Sequence, residues 1–196
     1  MGQVEQIREA ASAALAGSGV VVEDVAVHPA GKRRLVRVGV ARDVTELLAV
    51  DLRSPVEPLT LDEVAEASRL VGAALDEAEP MGNAPYTLEV SSLGVDHPLT
   101  TPAQFRRNVG RLLKLQVVQS PTGADEMGAG AGRFTESADD GATAVAAAPR
   151  ALEARLVEAG PDGIRLGNAP DDLLPYDRIS AAKVQVEFTR PGGKDD

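Results

Sequence analysis

Cysteine is absent from this chain of 196 residues. That excludes a disulfide framework, a thiolate-held metal and a cysteine nucleophile, and it suits a reducing cytoplasm. Tryptophan is also absent and aromatics make up only 3% of the residues, so a core must be aliphatic. The 43% hydrophobic fraction, rich in Val, Leu and Ala, is enough to build one. No apolar run approaches the roughly 18 residues of a membrane span. The opening "MGQVEQIREAASAALAG" interleaves acids with apolar residues and lacks the continuous apolar stretch of a signal peptide. Gln6 stands where a myristoylation motif carries Ser or Thr. Positive charge is scarce as well. Twenty Lys and Arg face thirty Asp and Glu, for a formal net charge of −10. That balance argues against non-specific nucleic-acid binding, because Lys and Arg dominate affinity for phosphate.

The distribution of charge says more than its sum. Residues 1–91 hold eight basic and fifteen acidic residues, and residues 117–196 hold eight and fourteen. Between them, residues 92–116 hold four basic residues and one acid, the only net-positive stretch. The length fits one large domain or two small ones at roughly 100–200 residues per domain. The basic stretch falls where two would join.

The first half alternates between helical and strand periods. Val4, Ile7, Ala11, Ala14 and Leu15 recur at helical spacing until Gly17 and Gly19. "VVVEDVAVHPAGKRRLVRVGVA" alternates on both sides of Pro29 to Lys32, the pattern of a β-hairpin with its turn there. Residues 43–60 read as a loop. Thr60 and Glu63 form a capping box, after which Leu61, Val64, Ala67, Leu70, Val71 and Leu75 make the stripe of a second helix to about Glu79. "YTLEV" is a third strand. The order αββαβ predicts an α+β fold, with a small sheet carrying helices on one face.

The second half reads as short strands. "GRLLKLQVVQ" is one. "ALEARLVEAGPDGIRLGN" alternates around a turn sequence, and a last strand is expected over Ala182 to Phe188. Short strands, polar turns and no long helix suggest a small barrel. Residues 119–149 are mostly small and without a period, and read as a disordered insertion. The expected division is 1–91 for the first domain, 92–108 for a linker with a short helical turn, 109–190 for the barrel, and 191–196 for a frayed tail. In the linker Thr101 can cap a turn that begins at Pro102.

Few residues offer catalytic chemistry. Ser92 has Gly94 two residues after it but Val90 two before it, which breaks the nucleophile-elbow pattern, so Ser91 and Ser92 read as turn formers. His97 beside Asp96 is poorly oriented for proton transfer, because neighbours in an extended segment point apart. "GAGAGR" follows no strand and opens no helix, and reads as linker. The pairs Asp139–Asp140, Asp171–Asp172 and Asp195–Asp196 lack the spacing of a calcium loop. No metal or cofactor site emerges. Two basic clusters remain: Lys32, Arg33 and Arg34, with Arg37, at the hairpin tip, and Arg106, Arg107, Arg111 and Lys114 at the junction. For the hairpin tip a solvated surface is slightly favoured. The junction cluster reads as functional, since guanidinium groups grip phosphate in a fork. Both clusters stand as candidate phosphate- or RNA-binding residues.

"VSSLGVDHPLTTPAQFRRNVGR" resembles the inter-domain signature of the ribosome maturation factor RimP family. Val90, Ser91, Ser92, Gly94, Asp96, Pro98, Leu99, Phe105, Arg106, Arg107 and Gly110 match it. Leu93 stands where the family has Pro, Val95 where it has Leu, and His97 where it has Arg. The domain order matches too. The resemblance implies an α/β first domain, an SH3-like barrel after it, and no cofactor or catalysis. It implies a cytoplasmic factor that binds the free small (30S) ribosomal subunit and assists its assembly, with small-subunit ribosomal protein twelve and nearby ribosomal RNA as partners. On this reading Ser92, Gly94, Asp96, Pro98 and Gly110 form the hinge, and a monomer is expected. Two rivals differ in class: an adaptor whose barrel binds a peptide without RNA, and a hydrolase using Ser92 or His97.

Overall fold

A computed structural model describes residues 2–31, 33–82, 84–95, 97–118 and 149–187. Helix α1 (Gln3–Ala14) buries Ile7 and Ala11, and Leu15 just beyond it is 2% exposed. Val4, expected on the same stripe, is 40% exposed. Gly17 and Gly19, both at φ 76, turn the chain back into the sheet.

Strands β1 (Val20–Ala30) and β2 (Arg33–Arg42) pair antiparallel. The turn is shorter than the sequence suggested, because Pro29 pairs with Arg34 and Ala30 with Arg33. Pro29 can join because β1 is an edge strand and loses no ladder bond through its missing N–H. Val36, Val38 and Val40 of β2 alternate inward and are fully buried. Strand β3 (Tyr86–Ser92) runs parallel to β2 on its other side, and parallel neighbours need a crossover. The crossover contains a one-turn helix, α2 (Leu47–Val50), in the segment read as loop, and then α3 (Leu61–Ala78). The Thr60–Glu63 capping box is formed. The buried stripe of α3 is Ala67, Val71 and Leu75, while Leu61, at the first turn, is 89% exposed. α1 and α3 join the three strands in one aliphatic core.

The second unit is a five-stranded antiparallel sheet in the order β7-β6-β5-β4-β8. Its elements are α4 (Pro102–Arg107), β4 (Leu112–Val117), β5 (Arg150–Ala159), β6 (Gly163–Leu166), β7 (Ala169–Pro175) and β8 (Ile179–Val184). Two expectations need correction. The last strand is Ile179–Val184, earlier than Ala182–Phe188, because its register is set by β4: Val184 faces Leu113 and Ala182 faces Leu115. No strand is expected over Ala169–Pro175, where Pro170, Asp171 and Asp172 are turn formers. Main-chain pairing to β6 makes it a strand, and those residues blunt an exposed edge. The insertion expected at 119–149 lies almost wholly outside the described residues, as does the tail at 191–196.

β6 and β7 approach closely at Gly163. A Cβ there would sit 2.5 Å from the Leu174 carbonyl oxygen and 3.1 Å from the Pro175 Cα. Backbone cannot swing aside as a side chain can. Gly163→Ala should therefore cost about 1–3 kcal/mol of unfolding free energy, in the range of overpacked cores, measured by urea titration. A loss under about 0.5 kcal/mol, within the scatter of ordinary surface changes, would mean the strands part easily.

The two cores are separate. Leu99, Phe105 and Val109, from the segment around the expected linker, pack in the second core with Leu113, Leu115, Leu156 and Ile164. Phe105 lies 5.2 Å from the Tyr176 ring. α4 is thus built into the second unit, and its opposite side faces the first.

Candidate functional site at the junction of the two cores

Thr101 accepts from the Gln104 amide, while the Gln104 side chain accepts from the amides of Thr100 and Thr101. With Pro102 in the first turn, this cap fixes a helix of only six residues. It aims Gln104, Arg106 and Arg107 into the junction rather than into solvent.

Arg106 is fully buried. Its Nε donates to the Asp51 carbonyl at 2.6 Å and its Nη1 to the Ser54 carbonyl at 2.7 Å. Its Nη2 has no hydrogen-bond partner and stands 3.6 Å from Asp51 Oδ1. This corrects the placement of Arg106 on a phosphate-binding surface. A guanidinium stripped of water needs protein acceptors, and the loop after α2 wraps it to supply them. The Asp51 carboxylate is held at about 2, chiefly by the amide and hydroxyl of Ser54, then by the Arg53 amide, with the Arg106 charge a smaller contribution. A carboxylate pKa depressed in the fold stabilises it fully above the unfolded value and loses that contribution as pH falls through the folded value. The melting temperature should drop between about pH 4 and pH 2, and Asp51→Asn should flatten that drop. An unchanged acid limb in the variant would assign acid sensitivity elsewhere.

Arg107 is also turned inward, its side chain 13% exposed. Nε donates to the Arg42 carbonyl at 2.5 Å and Nη1 to Glu23 Oε1 at 2.5 Å. The other Glu23 oxygen accepts from Gln104 Nε2 at 2.8 Å. Glu23 sits in a β-bulge, where the pairing passes from Val22–Val40 to Asp24–Gly39 and skips it. Bulges re-aim a side chain, and here the result is a carboxylate bridging strand β1 to helix α4. Neither Glu23 nor Gln104 stood out in the sequence. The available signal was the pair Glu23–Asp24, which interrupts the alternation of β1.

The other expected site residues scatter. Arg111 and Lys114 are exposed on the second unit. Gly110, at φ 87, turns the chain between α4 and β4, so Arg111 lies past the helix that carries Arg107. At the hairpin, Arg33 is exposed, whereas Arg34 donates to Gln3 Oε1 at 2.7 Å and ties β2 to α1. Arg37 pairs with Glu89 in the open. Lys32 and Asp96 lie outside the described residues. Ser92 is exposed at the end of β3, Gly94 accepts from the His97 amide, and Pro98 is exposed beside buried Leu99. Among the described residues, no bond joins Ser92 or His97 to a carboxylate, and no group of three or more His, Cys, Asp or Glu could hold a metal ion. Leu93 folds over Gly39, where a Cβ would stand 2.7 Å from its Cδ2. Beside the Glu23–Arg107 pair, a cleft of about 180 Å³ opens between β2, residues 56–59, residues 92–95 with His97 and Leu99, and α4.

Residues 10–96 match the family described as the RimP N-terminal domain. The chain is 38% identical over 176 residues to the ribosome maturation factor RimP of Kineococcus radiotolerans, covering 90% of this chain and 74% of that protein. It is 34% identical over 196 residues to the ribosome maturation factor RimP of Frankia casuarinae, covering 95% of this chain and 68% of the relative. The matches extend through the junction and the second sheet as well as the first unit, and on that similarity the chain belongs to the ribosome maturation factor RimP family.

Proposed function

We propose that this chain is a non-enzymatic, cytoplasmic ribosome maturation factor that binds the free small (30S) subunit and assists its assembly. The observation that carries the reading is the similarity, over nearly the whole chain, to relatives that bear that name. Two features of the surface support the partner class. Arg33, Arg111 and Lys114 are exposed cations able to meet ribosomal RNA phosphate. Helix α3 presents Asp62, Glu66, Asp76 and Glu77 outward, an acidic face suited to a basic ribosomal protein such as small-subunit protein twelve. No described helix is long and apolar enough to cross a membrane.

Purified small subunits and the double variant Arg33→Glu, Lys114→Glu test this. Reversing two phosphate contacts should weaken binding at least about ten-fold at low salt and flatten the salt dependence by about two contacts. Unchanged affinity with an unchanged slope would remove these cations from the interface. No binding by the native chain at any salt would favour the adaptor reading.

A further inference from the structure

We propose that the cleft between the two units binds one unpaired, phosphate-bearing nucleotide, with Arg111 as its phosphate ligand. The inference rests on the reading that this chain meets ribosomal RNA, and it adds a site and a ligand class to it.

The cleft has two kinds of wall. Val56, Leu59, Leu93 and Val95 line one part. They are half-buried or exposed, so apolar surface is left open to the cleft. Arg42, Arg107, Arg111 and His97 line another, and among the described residues Glu57 is the one carboxylate in the lining. The cations differ in what they have left to give. Arg42 is spent on the carbonyls of Glu57 and Pro58 and on both oxygens of Glu63. Arg107 is held by Glu23 and the Arg42 carbonyl, which fixes its position at the cleft. Arg111 is exposed and makes no side-chain bond to any described residue. It alone of the three guanidiniums is free to turn a full fork of donors towards a ligand.

Size and chemistry narrow the ligand. The space is below the roughly 300–1,000 Å³ of pockets that enclose a whole drug-sized molecule, so it takes one inserted group. An acidic side chain would satisfy the cation and leave the apolar wall bare. An apolar side chain would do the reverse. A nucleotide offers both a flat base for the wall and a phosphate for Arg111. Unpaired bases in RNA are the ones that can splay out and enter such a site, stacking on an imidazole or guanidinium plane or between apolar side chains. Glu23, Gln104 and Arg107 hold the two walls in register, so the site exists only while the units keep their relative orientation.

The test is a titration of the isotope-labelled full chain with a nucleoside 5′-monophosphate and with a single-stranded RNA hexamer, read by amide shifts and anisotropy. Shifts are expected at Leu93, Gly94, Val95 and Arg111. Arg111→Glu, and Val95→Trp, which fills the cleft without changing charge, should each weaken the hexamer about ten-fold or more. Arg150→Glu, an exposed cation outside the cleft lining, should leave hexamer affinity within about two-fold. Shifts confined to the hairpin, native affinity in both cleft variants, or tighter cleft binding by an acidic peptide would overturn the proposal. If both cleft variants bind the hexamer natively while Lys114→Glu loses subunits, the cleft site falls and the ribosome reading stands. If the hexamer fills the cleft but subunits never bind, the reverse holds.

Discussion

Arg106→Ala is expected to lower the unfolding free energy by about 3 kcal/mol. The substitution removes both donors from the carbonyls of Asp51 and Ser54, and each orphaned acceptor costs about 1 kcal/mol or more where water cannot reach it. It also empties the volume of a fully buried side chain, which adds a cavity cost. Against these stands the relief of desolvating a guanidinium whose Nη2 has no hydrogen bond. Arg106→Met separates the contributions. It refills most of the space without donors and should recover about 1 kcal/mol of the loss. The measurement is denaturant unfolding of the three proteins side by side. A loss under about 1 kcal/mol for Arg106→Ala would mean that the loop of residues 51–54 holds its position without the guanidinium.

The second large effect is expected at Glu23. Glu23→Ala leaves Arg107 enclosed with the Arg42 carbonyl as its hydrogen-bond acceptor and only the more distant charge of Asp43 beside it, and takes from Gln104 Nε2 its acceptor. Breaking a buried pair from one side costs about 3 kcal/mol, because the remaining charge is stranded. Arg107→Ala should cost a similar amount, yet the double variant should cost well below the sum, since it removes the pair entirely. A coupling energy of at least about 1.5 kcal/mol between the two positions is expected. The same single variant should loosen the orientation of the two units, read as altered inter-unit residual dipolar couplings, while each core keeps its own amide protection. Strict additivity of the two substitutions would show that Glu23 and Arg107 are not paired in solution.

These two positions also show where the sequence stopped being informative. Elements whose signal is local were legible. The alternation around Val36, Val38 and Val40, the capping box at Thr60, the cap at Thr101, and the turn between β5 and β6 each depend on residues a few positions apart. β7 was missed because its turn-forming residues conflict with its strand geometry, which comes from pairing to β6. Helix α2, a single turn, is too short to carry a period. At the junction the residue types were legible but their direction was not. A helix of six residues cannot show which side is buried, and the acceptors that draw the arginines inward lie 55 and 84 positions away, at Asp51 and Glu23. The "Phe-Arg-Arg" segment lies where the two cores meet, and its cations reach Asp51, Ser54, Arg42 and Glu23 of the first unit instead of facing solvent. The cations left outside, Arg33, Arg111 and Lys114, are the ones on which the proposed RNA contact would rest.

The central claim is association with the small subunit through a few exposed cations. The most direct measurement is gradient sedimentation of cell extract at two salt concentrations, blotting for this chain. Three phosphate contacts would make affinity fall with roughly the 2.7 power of salt concentration on a duplex-like target. The account predicts comigration with free small subunits, absence from translating ribosomes, and loss of the association at the higher salt. A position at the top of the gradient under both conditions would contradict it.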